Sequence, residues 1–234
     1  MGQRRQLVGD EISDHAEHWT IVDHQVLATG NVSDFVRDTV ETPSGETMVR
    51  EYTMHPGAVG VIALDERNRV AVVRQYRQPV AFRLIEPPAG LLDAAGESFL
   101  AAAQRELAEE AKLAASDWRL LVDIFTTPGG CQESIRMYLA RGLSEAPRPD
   151  GFVLEGEEAH MDICWVALDD LVAAILGGRV QSPSLVSGTL ALQAALGTCG
   201  LDGLRAADSP WPARDAWAAQ NAALALIGGD DRVA

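Results

Sequence analysis

Between Gly90 and Glu110 the chain reads Gly90-Leu91-Leu92-Asp93-Ala94-Ala95-Gly96-Glu97 and then, after a gap of seven residues, Arg105-Glu106-Leu107-Ala108-Glu109-Glu110. At about 100° per residue, a helix through the second half sets Glu109 roughly 60° to one side of Glu106 and Glu110 roughly 40° to the other. All three carboxylates then share an arc of about 100°. Leu100, Ala103, Leu107 and Ala111 fall on a neighbouring arc, so the helix carries a buried stripe beside an acidic one. An isolated Glu-x-x-Glu-Glu is ordinarily a solvated face. Crowded at a core edge next to a Gly-rich turn, these acids call for cations. Hard divalent ions take oxygen ligands and bind through a few carboxylates together with substrate phosphates, which makes a diphosphate the implied client.

Residues 90–113 resemble the Nudix box, whose pattern is Gly, five residues, Glu, seven residues, then Arg-Glu-apolar-x-Glu-Glu-x-Gly-apolar. The gap from Glu97 to Arg105 matches, as do Arg105, Glu106, Leu107, Glu109, Glu110 and Leu113. Two positions depart from the pattern. Six residues rather than five separate Gly90 from Glu97, and Lys112 stands in place of Gly. A longer loop costs little while its ends stay in register, and a cation at a helix end interacts favourably with the last carbonyls.

Four further segments are similar to the ADP-ribose pyrophosphatase branch of that family: residues 50–59 from Arg50 to Val59, residues 73–79 from Val73 to Pro79, Glu86-Pro87-Pro88-Ala89-Gly90, and Thr127-Pro128-Gly129. The order of segments holds from about residue 19 to 195. The resemblance implies an α/β (α+β) Nudix fold, with mixed β-sheets sandwiched between helices and an N-terminal β segment. It implies a Mg²⁺-dependent hydrolase, with Mn²⁺ as the alternative ion, that cuts ADP-ribose into AMP and ribose 5-phosphate. It also implies a homodimer whose N-terminal β segments exchange.

On the same resemblance, Glu106 and Glu110 are the first metal ligands, Glu109 completes or bridges the site, and the Ala89 carbonyl supplies a further oxygen. Glu97 and Arg105 are structural; they pair directly only if Glu97 sits on the loop side and folds back. The general base is expected on the loop 144–158, with Glu158 first, Glu157 in reserve and Glu155 third; the competing reading is that these are solvated loop acids. Arg50 and Arg77 are candidates for the phosphates or the terminal ribose, since a guanidinium is a rigid fork that matches phosphate oxygens. Each is otherwise a surface residue at a strand end. Glu86 is a candidate for a ribose or adenine group. His55, beside Pro56-Gly57, reads as a hydrogen-bonded structural residue.

The 234 residues, 47% of them hydrophobic, suffice for one large α/β domain with small extensions. We expect an N-terminal β segment over 1–42, a catalytic domain over 43–200 and an Ala- and Trp-rich helical extension over 201–234. Strands are expected at 19–28 and 35–41, at 59–64 and 70–74 around the polar turn 65–68, and at 118–125, 134–140 and 161–166. Helices are expected at 168–176, 184–196 and 214–227. A net charge of −15 argues against sequence-independent binding to nucleic acid, which depends on Lys and Arg. Three widely spaced cysteines suggest neither a disulfide framework nor a zinc site, and fit a reducing cytoplasm. No apolar run has membrane-spanning length. The resemblance implies a small nucleoside diphosphate derivative as the client. Two readings compete with ADP-ribose hydrolysis: another nucleotide sugar or dinucleotide as substrate, and a sensor that binds ADP-ribose without cutting it.

Overall fold

The fold is that of a computed structural model describing residues 5–148, 156 and 160–228, the last four of these by backbone alone. The chain divides into two compact units, residues 1–30, 34–52 and 211–234 in one, residues 31–33 and 53–210 in the other. This grouping differs from the expected 1–42, 43–200 and 201–234. Residues 47–54 form a strand that joins the N-terminal sheet, and the C-terminal helix belongs with those strands rather than standing alone.

The smaller unit is a three-stranded sheet in the order β1 (Thr20–Thr29), β2 (Asp34–Glu41), β3 (Thr47–Met54), with helix α4 (Pro212–Gly228) packed on β1. A buried polar network in it centres on Asp38, which binds His24 Nδ1 at 2.6 Å and accepts the Tyr52 hydroxyl at 2.8 Å. Burial, and then the Asp38 carboxylate, push the Tyr52 hydroxyl well above the ordinary tyrosine range, so it stays a donor.

The larger unit is built on β4 (Ala58–Leu64), buried along its whole length. Its side chains alternate between two cores, as strand geometry requires. Val59, Val61 and Ala63 pack with Ala102, Ala103, Leu107 and Ala111 of helix α1 (Phe99–Ala111). Ala58, Ile62 and Leu64 pack with residues of α2 (Leu168–Leu176) and α3 (Pro183–Gly197). The sheet is thus sandwiched between helices. At Gly188 of α3 an added Cβ would stand 2.8 Å from Ile62, so only glycine lets that helix approach so closely.

The sheet runs β10 (Asp162–Ala167), β5 (Arg69–Arg77), β4, β9 (Ser134–Glu145), β8 (Leu113–Phe125), β11 (Arg205–Ala206), with β4 and β9 parallel and the other pairs antiparallel. Strands β4 and β5 pair only at Ala63↔Ala71 and Leu64↔Val70. They then part. β5 pairs with β6 (Phe82–Glu86), and the start of β4 pairs with β7 (Ala89–Leu91). Pro87-Pro88, which lacks N–H donors, bridges β6 and β7 and returns one bond from Val61 N–H to the Pro88 carbonyl at 2.9 Å. This split in the sheet opens the cleft described below.

Helix α1 begins where the Ser98 hydroxyl accepts the Ala101 N–H. It ends at Lys112, which adopts a left-handed conformation at φ 56°. Its N–H closes the helix on Ala108 and Leu107, and its carbonyl accepts Ala146 N–H at 2.9 Å. The geometry that glycine would meet at no cost is therefore met by a residue with a Cβ. Lys112→Gly should stabilise the fold by about 0.5–1 kcal/mol, read as a higher urea midpoint with unchanged slope. A lower midpoint would refute this.

Candidate active site

The cleft is a cavity of about 800 Å³ lined by the β5–β6 ribbon, the β7 turn, helix α1, the 133–135 segment and the start of α3, together with Val32, His55 and Ala58. Its acidic part comes from α1. Glu106, Glu109 and Glu110 are 9%, 8% and 5% exposed, so the arc read from the sequence lies at the core edge as expected. Charges so far from water need compensation.

Arg105 supplies part of it. Its Nη1 donates to Glu106 at 2.5 Å and to Glu109 at 3.0 Å, while its Nε and Nη2 form a two-pronged contact with Glu97 at 3.0 Å each. Glu97 lies before the helix and folds back onto it, as the eight-residue separation demanded. These partners, Glu97 first and then Glu106 and Glu109, hold the guanidinium even more firmly protonated than an ordinary arginine. Glu110 accepts the Ala89 N–H at 2.9 Å, which brings the helix against β7. Ala89, Glu106, Glu109 and Glu110 therefore all border one cavity.

In this arrangement no three acids among the described residues converge into a closed ligand cluster. Glu106 and Glu109 turn to Arg105, and Glu110 turns to the backbone. The donor set nevertheless fits a hard divalent cation, because Ala89, Glu106, Glu109 and Glu110 offer only oxygen and the acids outnumber the arginines that line the space. Gly90 is a second sign of fit. A Cβ there would stand 1.9 Å from Glu106 Oε1 and 2.0 Å from its Cδ, so the backbone of β7 is cut back to admit that carboxylate.

Arg77 and Glu86, two candidates for substrate, are brought together on the β5–β6 ribbon. Arg77 donates from Nε and Nη2 to Glu86 Oε2 at 3.0 and 2.7 Å, and both line the cavity. Arg50 lies in the smaller unit, exposed, where it lines a separate cavity with Trp19, Asp38 and Gln220. His55 accepts the Gly57 N–H through Nδ1 at 3.1 Å, stands 3.7 Å from Glu133 and also lines the cavity. Glu155, Glu157 and Glu158 lie outside the described residues. The stretch leading toward them is tied to the end of α1, since Arg148 Nε donates to the Glu109 carbonyl at 2.7 Å.

Of the polar lining residues, Gln75, Asp93, Glu133, Ser182 and Ser184 were not singled out from the sequence. Gln75 was legible in part, as a polar residue two positions from Arg77 and hence on the same side of the strand. The serines flank Pro183 at a helix start, a pattern that reads as capping and gives no hint of a cleft.

Comparison with known proteins accords with this geometry. The model of the family described as NUDIX domain matches residues 54–185. An ADP-ribose pyrophosphatase of Mycobacterium tuberculosis (strain ATCC 25618 / H37Rv) is 40% identical over 84% of this chain and 93% of its own. A methanol dehydrogenase activator of Bacillus methanolicus is 36% identical over 76% of this chain and 93% of its own. A solved structure described as an ADP compounds hydrolase superposes with a TM-score of 0.66 at 20% identity, covering 80% of this chain and 99% of that one, a likeness of fold.

Gly90→Ala should displace Glu106 from its place and lower kcat/KM by about 10-fold or more, with a higher divalent-metal requirement. A metal titration of activity indistinguishable from the unmodified protein would show that β7 tolerates the methyl.

Proposed function

Because this chain belongs to the Nudix hydrolase family, whose enzymes work with divalent metal ions, we propose that it hydrolyses the diphosphate bond of ADP-ribose, giving AMP and ribose 5-phosphate. The observation that carries the reading is the set of three buried carboxylates on one face of α1, held beside the cut-back backbone at Gly90. A protein that only sensed the ligand would have no need to keep three carboxylates so close together and away from water.

Mg²⁺ is the proposed ion, held by Glu106, Glu109, Glu110 and the Ala89 carbonyl; when bound it neutralises diphosphate oxygens and favours attack at phosphorus. The chain's own groups do the rest. Arg77 offers its fork to phosphate oxygens from the position where it meets Glu86, and Arg50 is kept as a second candidate for the same substrate. Glu158, with Glu157 and Glu155 behind it, takes the proton of the attacking water as the new P–O bond forms and the bridging P–O bond breaks. Helix acids engaged with a cation lose basicity, which is why the base is assigned to the loop.

The second assignment concerns assembly. Val22, Val26, Leu27, Phe35 and Val49 of the three-stranded sheet are exposed, and large apolar side chains grouped on one sheet mark a surface suited to a partner. A second copy of the chain is the proposed cover, in line with the exchange of N-terminal strands that the family resemblance implies. The thiols of Cys131, Cys164 and Cys199 are free, and among the described residues no helix is long and apolar enough to cross a membrane. Both features support a cytoplasmic location.

One experiment separates metal from base. Products should be followed across a panel of nucleoside diphosphate derivatives at varied Mg²⁺. ADP-ribose should be preferred, and Glu110→Gln should cost on the order of 10²-fold with a raised metal requirement. Glu158→Gln should lower kcat by about 10²–10⁴-fold at an unchanged metal requirement. Full activity in excess chelator, or of Glu110→Gln, would exclude the metal mechanism, and a crippled Glu157→Gln beside an active Glu158→Gln would move the base by one residue. For assembly, sedimentation should give a dimer, and Val26→Asp with Phe35→Asp should shift it to monomer. A monomeric, fully active unmodified chain would remove that assignment.

A further inference from the structure

Opposed in chemistry to its acids, the cavity also has a lining with no formal charge, made by Gln75, Ser182 and Ser184. Gln75 is only 3% exposed, yet its carboxamide makes no hydrogen bond to any described residue. A polar group withdrawn from bulk water without a partner is costly, and buried amides are nearly always satisfied. The carboxamide keeps access to the cavity, so the group that satisfies it, water or a bound ligand, stands there.

Helix α3 opens on the same space. Its first residue, Pro183, has no N–H, and the first helical bond runs from Val186 N–H to the Ser182 carbonyl. Ser182 stands at the capping position, but its hydroxyl meets the Ser184 hydroxyl at 3.1 Å and caps no backbone N–H. The N–H groups of Ser184 and Leu185 are thereby left without the usual side-chain oxygen. Both serines are buried.

The ligand chemistry follows from this inventory. A carboxamide presents a donor and an acceptor, and a hydroxyl does the same. A phosphate offers only acceptors, so it would leave the Gln75 carbonyl oxygen facing like charge. Vicinal sugar hydroxyls both donate and accept and carry no charge, which matches all three side chains. We propose that Gln75, Ser182 and Ser184 form the subsite for the hydroxylated, uncharged group on the far phosphate of the substrate and set the preference for it. The inference rests on the diphosphate-hydrolase reading, under which that group is the terminal pentose.

The test compares ADP-ribose with the β-methyl ester of ADP, which keeps the diphosphate and lacks the hydroxyls, in the unmodified protein, Gln75→Leu and Ser184→Ala. The readout is the ratio of kcat/KM for the two substrates. One lost neutral hydrogen bond should lower the ratio by about 3- to 10-fold in Gln75→Leu and by a similar or smaller factor in Ser184→Ala. Ser184→Ala, a smaller change, keeps the result readable if Gln75→Leu folds poorly. A ratio unchanged in both variants, with both substrates cut, overturns the subsite and leaves the hydrolase reading standing. If the unmodified protein cuts neither substrate, the hydrolase reading falls and the subsite falls with it.

Discussion

Three buried carboxylates within one helical arc are the constraint around which the larger unit is arranged. Glu106, Glu109 and Glu110 repel one another, and each lies where water screens little. Arg105 answers two of them and is itself anchored by Glu97, which fixes the loop ahead of the helix. Glu110 answers the backbone of β7 and so holds the helix to the sheet. Removing any one of these contacts leaves an acid exposed to its neighbours, so loop, helix and strand are ordered together. The same repulsion that costs stability is what a bound cation would relieve.

Room for a substrate beside those acids comes from the divergence of β4 and β5. A fully paired hairpin would have filled the space with side chains. Instead the pairing stops after two positions, and the Pro87-Pro88 bridge sends β6 to one strand and β7 to the other. The cleft is then walled by β5–β6 on one strand's side and by β7 with α1 on the other's. Rigid elements carry the lining, which is what a site requires if its groups are to be held in place before the substrate arrives.

Much of this was legible in the residues. The period of α1 placed its buried and acidic stripes correctly because both depend only on neighbours three and four apart. Strands β1, β2, β4, β5 and β10, and helices α2, α3 and α4, lie within a few residues of expectation for the same local reason. What escaped was non-local. Strands β6 and β7, five and three residues long, exist because β4 and β5 part and leave their edges to be paired. β8 begins at Leu113 rather than 118, since the Ala-rich start reads as helix and only its ladder with residues 141–145 of β9 makes it strand. β3 alternates too weakly to announce itself, with charged Arg50 and Glu51 in its centre. The site divides along the same line: the acids of α1 were readable from spacing, the bond between Arg77 and Glu86 was not, because it depends on a register between two strands.

The acidic character of the whole chain is compatible with an anionic substrate if the two kinds of lining divide the work. A net charge of −15 repels a diphosphate at long range, though at physiological salt that field is screened within about 8 Å. Inside the cleft a divalent cation held by the carboxylates would reverse the sign and make attraction local. Such a site would accept almost any diphosphate. Selection among them has to come from groups that are indifferent to charge and sensitive to hydroxyl geometry, and in this cavity Gln75 and the two serines at the start of α3 are side chains of that type.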